Sequence, residues 1–448
     1  MKEAWMLAIE TLSWMEMQKL STRLALAKTI KQLQIRNSNA IRFAYRLVQE
    51  TVRRRNFIDK FIDDTLEFNS INRFDFGVQA FLRLYVYQTR IAKNWYAFNV
   101  EEAEKIVSLA RSILGWRNLR EVEHVLGLLL TKERDSVFVG VNDEDKIGLQ
   151  TCHPSWFVRY CFKLFGRRET IAMLKANMKT PQTYLRLNTL MADEDEILER
   201  LSVNNIEVAK VEELEHTYVV VDSQKPLNRT EVFREGLITI QDKASCFTVE
   251  AADPKPGMTV LDVCAAPGAK TTYLAQLMDN DGLIYSVDYS RRRINLWKRQ
   301  MVRMGANIAF PMIIDAYDML PLNVQVDLVV LDPPCTSTGV FGKVPSAKWR
   351  LTRHSVNKMA KIQWSMLENC ASSVKKSGVL VYSTCSITTE ENERLIERFL
   401  KWYPEFSVTE ILPNLGNPGF RGLKKCQRLY PHIHQCNGFF IAKLVKKG

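Results

Sequence analysis

The chain has 448 residues, 46% hydrophobic and 25% charged, with a formal net charge of +12 and a pI near 9.2. That length predicts two to three domains, and the composition is that of a soluble globular protein, which excludes disordered and fibrous classes. No apolar run approaches the roughly 20 residues of a membrane span, and the surplus of base points to a polyanionic partner, most commonly a phosphate backbone.

Residues 1–10 mix acids into an apolar pattern and read as an amphipathic helix, not a signal peptide. Nine cysteines, an odd number without an export signal, predict reduced thiols and a cytoplasmic location. Residues 1–145 are predicted to form an all-helical domain. Ala103, Ile106, Val107, Ala110 and Leu114 fall on one helical face, and Val122, Val125, Leu126 and Leu129 repeat the pattern. Leu47, Val48, Val52 and Ile58 belong to a segment whose other faces carry Arg42, Arg46, Arg53, Arg54 and Arg55. Such an arginine-rich face is expected either to dock RNA or to be a solvated side of the bundle.

A polar stretch at 142–146 marks the first boundary. Residues 146–255 are predicted to form a small α+β domain, with strands at 184–188, 218–221 and 238–242 and helices at 193–201 and 244–252. Turn-forming residues at 253–257 close it. Residues 256–448 then alternate strands with helices. Apolar runs at 260–263, 283–287, 312–314, 328–331, 379–382 and 439–442, with helices started by Ser290 and Thr388, predict a doubly wound, mostly parallel sheet.

The segment Cys264, Ala265, Ala266, Pro267, Gly268, Ala269, Lys270 lies between the first of these strands and a helix. It is a small-residue loop where a ligand can approach the backbone, with neither GxGxxG nor Walker spacing. Asp288, Asp315 and Asp332 close the next three strands, and an acid there can bind ribose hydroxyls. One small-residue loop and three acids make a nucleoside-shaped site without a pyrophosphate cradle, which fits S-adenosylmethionine better than NAD or ATP.

Two thiols stand on the same rim. Cys335 follows Asp332 by three residues, and Cys385 follows the run 379–384 directly. Thr388 and Glu391 have capping-box spacing, which predicts a helix starting just after Cys385 and helping to acidify it. A thiol so placed can be a nucleophile, a small core residue, or half of a disulfide. Cys426, His432, His434 and Cys436 are not expected to bind zinc, and Trp364 is expected to pack in a helical core.

The motifs at 264–270, 332–335 and 383–386 resemble those of the Sun/Fmu (NSUN-type) RNA cytosine-C5 methyltransferases. His153 to Trp156, Gln241 to Ser245, Lys348 with Trp349, and Gly438 to Ile441 add to the resemblance, which spans about residues 150–448. The N-terminal helices are similar to a NusB-like RNA-binding domain, at Arg42 to Val48 and Thr51 to Arg53. The resemblance implies a Rossmann-like, S-adenosylmethionine-dependent α/β domain behind a small α+β domain and an all-helical NusB-like one. It implies Cys385 as the nucleophile at C6 of a cytosine, Cys335 as the thiol that helps release the product, and Asp332 as the acid that holds the ring protonated. It implies cofactor contacts from Cys264 to Lys270, Asp288, Arg293, Asp315 and Asp332. Two positions depart from the family pattern: Ala269, where a second glycine is usual and a methyl group is expected to crowd the loop, and Asn437, where Asp is usual. The expected partner is RNA, ribosomal in preference to transfer RNA, with no membrane, no metal and a monomeric chain. The alternative on the same fold is a catalytically silent RNA-binding assembly factor.

Overall fold

The computed structural model describes residues 1–66, 70–92, 99–318 and 324–448. They form two compact units, Met1–Met178 with Val344–Arg350, and Lys179–Lys343 with Leu351–Gly448.

In the first unit the described residues form helices, among them Lys2–Gln18, Ser38–Arg53, Phe76–Val86, Val100–Leu114, Glu123–Thr131 and Ser155–Ala176, and no strand. The apolar periodicity is realised in packing. Leu47, Val48, Val52, Ile58, Ala103, Ile106, Ala110, Val122, Val125, Leu126 and Leu129 are buried in one core, with Val107 and Leu114 packed against it. Asn37 and Asn99 cap two of the helices by accepting the N–H of Ala40 and of Glu102.

The expected arginine face is only partly there. Arg42 and Arg46 are exposed, but Arg53 is buried, ion-paired to Glu50 and donating to the carbonyl of Asn177 at 3.1 Å. Arg54 pairs with Glu50, and Arg55 with Glu16 at 2.7 Å and Asp59 at 3.3 Å. Acids one helical turn away, Glu50 and Asp59, or remote in sequence, Glu16, claim three of the five guanidinium groups.

The second unit holds two sheets. In the smaller, β1 (Tyr184–Leu187), β2 (Ile206–Lys210), β3 (Thr217–Ser223) and β4 (Ile238–Ile240) run antiparallel in the order β2-β3-β1-β4. All four residues of β1 are buried. Arg186 crosses to the helix Ala269–Leu277, donating to Thr272 Oγ1 at 2.8 Å and lying 4.4 Å above the ring of Tyr273.

The larger sheet contains β5 (Thr259–Val263), β6 (Leu283–Asp288), β7 (Ala309–Ile313), β8 (Val326–Leu331), β9 (Val374–Thr384), β10 (Phe406–Val408), β11 (Asn417–Pro418), β12 (Gln427–Leu429) and β13 (Phe439–Lys446). Its order is β11-β12-β13-β9-β8-β5-β6-β7, with β10 on β13. Strands β5 to β9 are mutually parallel, and β13 is antiparallel to β9. Continuous apolar runs suit strands covered on both faces. The third strand lies a few residues upstream of its predicted place and includes Pro311, which is tolerated because β7 is the sheet edge. Ser290 caps the helix Arg291–Met304 as expected.

Thr388 does not start a helix. The next helix is Glu393–Trp402, with Asn392 at its N-cap, so no helix N-terminus follows Cys385 directly. Among the described residues no helix is long and apolar enough to cross a membrane.

Candidate active site

Strand order reverses at β5, which lies between β6 and β8, and such a switch point opens a crevice at the carboxyl ends of the strands. A cavity of about 990 Å³ occupies that place. Cys264, Ala266, Pro267, Arg293, Asp315, Asp332, Cys335 and Cys385 line it, together with Tyr289, Tyr317, Ser337 and Lys361. Ala265, Gly268, Ala269, Lys270 and Asp288 are not among its lining residues.

The loop after β5 turns on two left-handed residues, Cys264 (φ 65) and Gly268 (φ 108). Only glycine suits position 268, because a Cβ there would stand 2.7 Å from Met301 Cε and 3.2 Å from Trp297 Cδ1. Ala269 begins the helix Ala269–Leu277 and is not among the residues lining the cavity. Burial pushes the Cys264 thiol well up, which favours its protonated form where it lines the cavity. Arg293 Nη2 donates to the carbonyl of Ala266 and ties the loop to the helix Arg291–Met304.

Asp288 carries the observation that tests the cofactor. Its Oδ1 accepts the N–H of Ser290 at 3.0 Å. Its buried Oδ2 accepts no hydrogen bond and is ion-paired to the Arg293 guanidinium, Nη1 at 3.3 Å. A buried carboxylate oxygen lacking a donor is rare and calls for one from outside the protein. The hydroxyls of a ribose are such donors. With the small-residue loop and the acids at 315 and 332, the donor set fits S-adenosylmethionine.

The two thiols meet although 50 residues separate them: Cys335 Sγ and Cys385 Sγ are 3.2 Å apart. Both are free, and the separation is well beyond the roughly 2.05 Å of a disulfide. The hydrogen bond to Cys385 and burial push the Cys335 thiol well above its ordinary range, so Cys335 keeps its proton while it shares that hydrogen bond. Beside them Lys270 Nζ donates to Asp332 Oδ2 at 2.5 Å. Burial opposes the Lys270 charge, but Asp332, by charge and hydrogen bond, together with nearby Asp262 raises the ammonium above its usual range. Asp262, at the foot of the loop, is raised to about 6 by burial while accepting from Thr271 Oγ1 at 2.5 Å.

One residue central to this geometry has a role that its capping-box spacing does not suggest. Glu391 is fully buried. Its carboxylate accepts the N–H of Thr336 at 2.8 Å, Gln363 Nε2 at 3.0 Å, and the hydroxyls of Thr336, Ser386 and Thr388 at 2.5, 2.5 and 2.6 Å. It therefore fastens the Cys335 loop to the Cys385 loop instead of closing a capping box. The signal available in sequence was a glutamate surrounded by Ser and Thr just past a strand-end thiol. A second tie is backbone only: Gly339 N–H donates to Cys385 O at 2.9 Å and Gly438 N–H to Gly339 O at 2.8 Å.

Lys348 and Trp349 lie in the first unit, where Lys348 Nζ donates to Arg53 O at 3.0 Å and Cys152 O at 2.7 Å, and Trp349 Nε1 to Val52 O at 2.6 Å. Among the described residues no group of three or more His, Cys, Asp or Glu is arranged to hold a metal ion.

Comparison with known proteins agrees with this geometry. Residues 249–445 match the family model described as 16S rRNA methyltransferase RsmB/F, and residues 153–226 the RsmF/B-like ferredoxin-like domain. A Bacillus subtilis (strain 168) relative named probable ribosomal RNA small subunit methyltransferase B is 29% identical over 452 residues, 99% of this chain and 98% of its own. The Schizosaccharomyces pombe protein named 25S rRNA (cytosine-C(5))-methyltransferase nop2 is 31% identical over 303 residues, 64% of this chain and 49% of its own. The crystal structure of a methyltransferase homolog protein from Pyrococcus horikoshii aligns with a TM-score of 0.62 and 31% identity, covering 68% of this chain and 98% of its own. A chain that carries both family segments in order, and that matches nearly the whole of a solved homologue, belongs to the RsmB/F methyltransferase family.

Proposed function

We propose that this enzyme methylates C5 of a cytosine in ribosomal RNA through a transient bond between Cys385 and C6 of the base. The observation that carries the reading is the thiol pair, 3.2 Å apart on the wall of the cofactor cavity with Asp332 beside it. The names of the relatives support the substrate, since one is called a ribosomal RNA methyltransferase and another a cytosine-C5 methyltransferase.

Bound S-adenosylmethionine supplies an electrophilic methyl group on a sulfonium. Cytosine C5 is too weak a nucleophile to take it unaided, and addition of the Cys385 thiolate at C6 turns C5 into an enamine carbon. Asp332 hydrogen-bonds the ring and keeps it protonated as the thiolate adds. Once the Cys385 sulfur is bonded to carbon it no longer carries charge, and the main cause that held the proton on Cys335 is gone. Cys335, once it has given its proton to solvent, takes the C5 proton as a thiolate. The C6–S bond breaks, Cys385 leaves as thiolate, and the aromatic ring is restored. The target base must be unpaired or flipped to reach the cavity.

We assign RNA docking to the N-terminal helices as a NusB-like module. A pocket of about 700 Å³ there is lined by Arg54, Arg90, Arg134, Lys146, Arg167 and Lys175 against one acid, Asp143, which suits phosphate.

The test is adduct trapping on an unmodified small-subunit ribosomal RNA transcript. The Cys335→Ala variant is expected to accumulate a protein–RNA band stable to denaturing electrophoresis, and the Cys335→Ala/Cys385→Ala double variant to show none. Absence of the band from Cys335→Ala, with RNA still bound, would favour a silent assembly factor. Methyl transfer that survives ribonuclease treatment of the substrate would point to a small molecule instead.

A further inference from the structure

Next to the cofactor cavity lies a second groove of about 470 Å³, between the helices Arg353–Ala371 and Glu393–Trp402. Lys361 lines both spaces, so one shared wall joins them.

The charges of this groove are one-sided. On the first helix His354 and Lys361 line the groove and are exposed, with exposed Lys358 in the same row on the side of the cofactor cavity. On the second, Arg394 and Arg398 form a parallel exposed row. Residues 353–361 contain four basic or imidazole side chains and no acid, in a chain where 50 acids stand against 62 Lys and Arg. The one carboxylate lining the groove, Glu390, pairs with Arg394 at 3.4 Å. Among the described residues Lys358, Lys361 and Arg398 have no carboxylate partner.

Arg398 is also held in place. Its guanidinium lies 3.7 Å over the indole of Trp364, which is itself only 8% exposed and fixed in the core. Stacking removes much of the side chain's freedom and leaves its N–H edge aimed outward, the geometry that suits a phosphate. Like charges brought together on adjoining helices repel, and a polyanion laid between them relieves that repulsion.

We propose that this groove binds the phosphodiester backbone of the RNA strand flanking the nucleotide held in the cavity, with Lys361 at the junction and Arg398 as the preorganised contact. The proposal rests on the RNA methyltransferase reading and adds to it the path of the strand outside the cavity.

The test uses the full-length protein and the same unmodified ribosomal RNA transcript, with binding and initial rates measured over a series of KCl concentrations. Lys361→Gln and Arg398→Gln are each expected to raise KM for RNA several-fold and to reduce the slope of log K against log salt by about 0.7, one phosphate contact on a single strand. In Arg398→Gln the affinity for S-adenosylmethionine should not change, and Arg398→Lys should keep the slope. Slopes and KM equal to wild type in both glutamine variants would overturn the groove while leaving the enzyme reading intact. Wild-type protein that neither methylates RNA nor binds it in a salt-dependent way would overturn both. Should Arg398→Gln disturb the packing of Trp364, Lys361→Gln decides alone.

Discussion

The carboxylate of Glu391 accepts the backbone N–H of Thr336 at 2.8 Å, a bond that spans 55 residues and joins the loops carrying the two cavity thiols. Four further donors converge on the same group. Hydrogen bonds to a charged acceptor contribute about 1.5–3 kcal/mol each, and orphaning several at once is additive in sign if not in size. Glu391→Ala is therefore expected to lower stability by about 3 kcal/mol or more. Glu391→Gln keeps the volume and loses one acceptor oxygen, so the thiols lose their fixed spacing. Its kcat should fall about tenfold or more, for each ~1.4 kcal/mol of lost alignment, with S-adenosylmethionine affinity preserved. A glutamine variant with wild-type kcat would show that the two loops hold their positions without it.

Gly339 and Gly438 form the second clasp, and here the requirement is space. A Cβ on Gly339 would collide with the carbonyl of Gly438, a backbone group that cannot rotate away. Gly339→Ala is expected to push the Cys335 loop off β13 and to weaken the Gly339–Cys385 bond. Methyl transfer should fall by about 100-fold, the order of loss that a 1 Å misplacement brings. Isothermal titration with S-adenosylmethionine should still detect binding, because the cofactor loop lies on the other side of β8. Full activity in Gly339→Ala would contradict the clasp.

Asp288 has the opposite character, an oxygen waiting for a donor. If ribose hydroxyls satisfy it, Asp288→Ala removes charge-assisted hydrogen bonds and should weaken S-adenosylmethionine binding about 10- to 100-fold. Calorimetric titration measures this directly. An unchanged Kd would move the cofactor away from β6.

The strands and their ends were legible because both follow from short-range pattern. A run such as Val260 to Val263 can only be a covered strand, and once five such runs are parallel their terminal residues share one rim. That is why Cys264, Asp315, Asp332, Cys335 and Cys385 meet as expected. Buried charge was not legible, because its partner is remote. Residues 390–393 look like a solvated polar run, yet Glu391, Asn392 and Glu393 are fully buried. Glu393 pairs there with Arg428 at 2.5 Å. The capping-box spacing of Thr388 and Glu391 is real, but the carboxylate goes to the Cys335 loop, a partner that local spacing does not reveal.

Lys348 is the extreme case of a remote partner, since the two carbonyls it meets, those of Arg53 and Cys152, are 295 and 196 residues away. Burial is the main cause that brings its ammonium down from 10.5 to about 7. A neutral amine has two N–H groups, and both are used. Between pH 7 and 10.5 the unfolded chain holds a proton on this lysine that the folded chain has released, so stability rises with pH across that window. Below pH 7 both states are protonated and the contribution is lost. The slope is at most about 1.4 kcal/mol per pH unit. Lys348→Met leaves two carbonyls unpaired, a cost that does not depend on pH, and removes the slope. Urea unfolding of the two proteins at pH 7.5 and pH 9.5 should therefore give a stability difference that grows by about 2–3 kcal/mol at the higher pH, since other titrating groups cancel in the comparison. A difference that stays constant would mean that Lys348 is charged in its buried site.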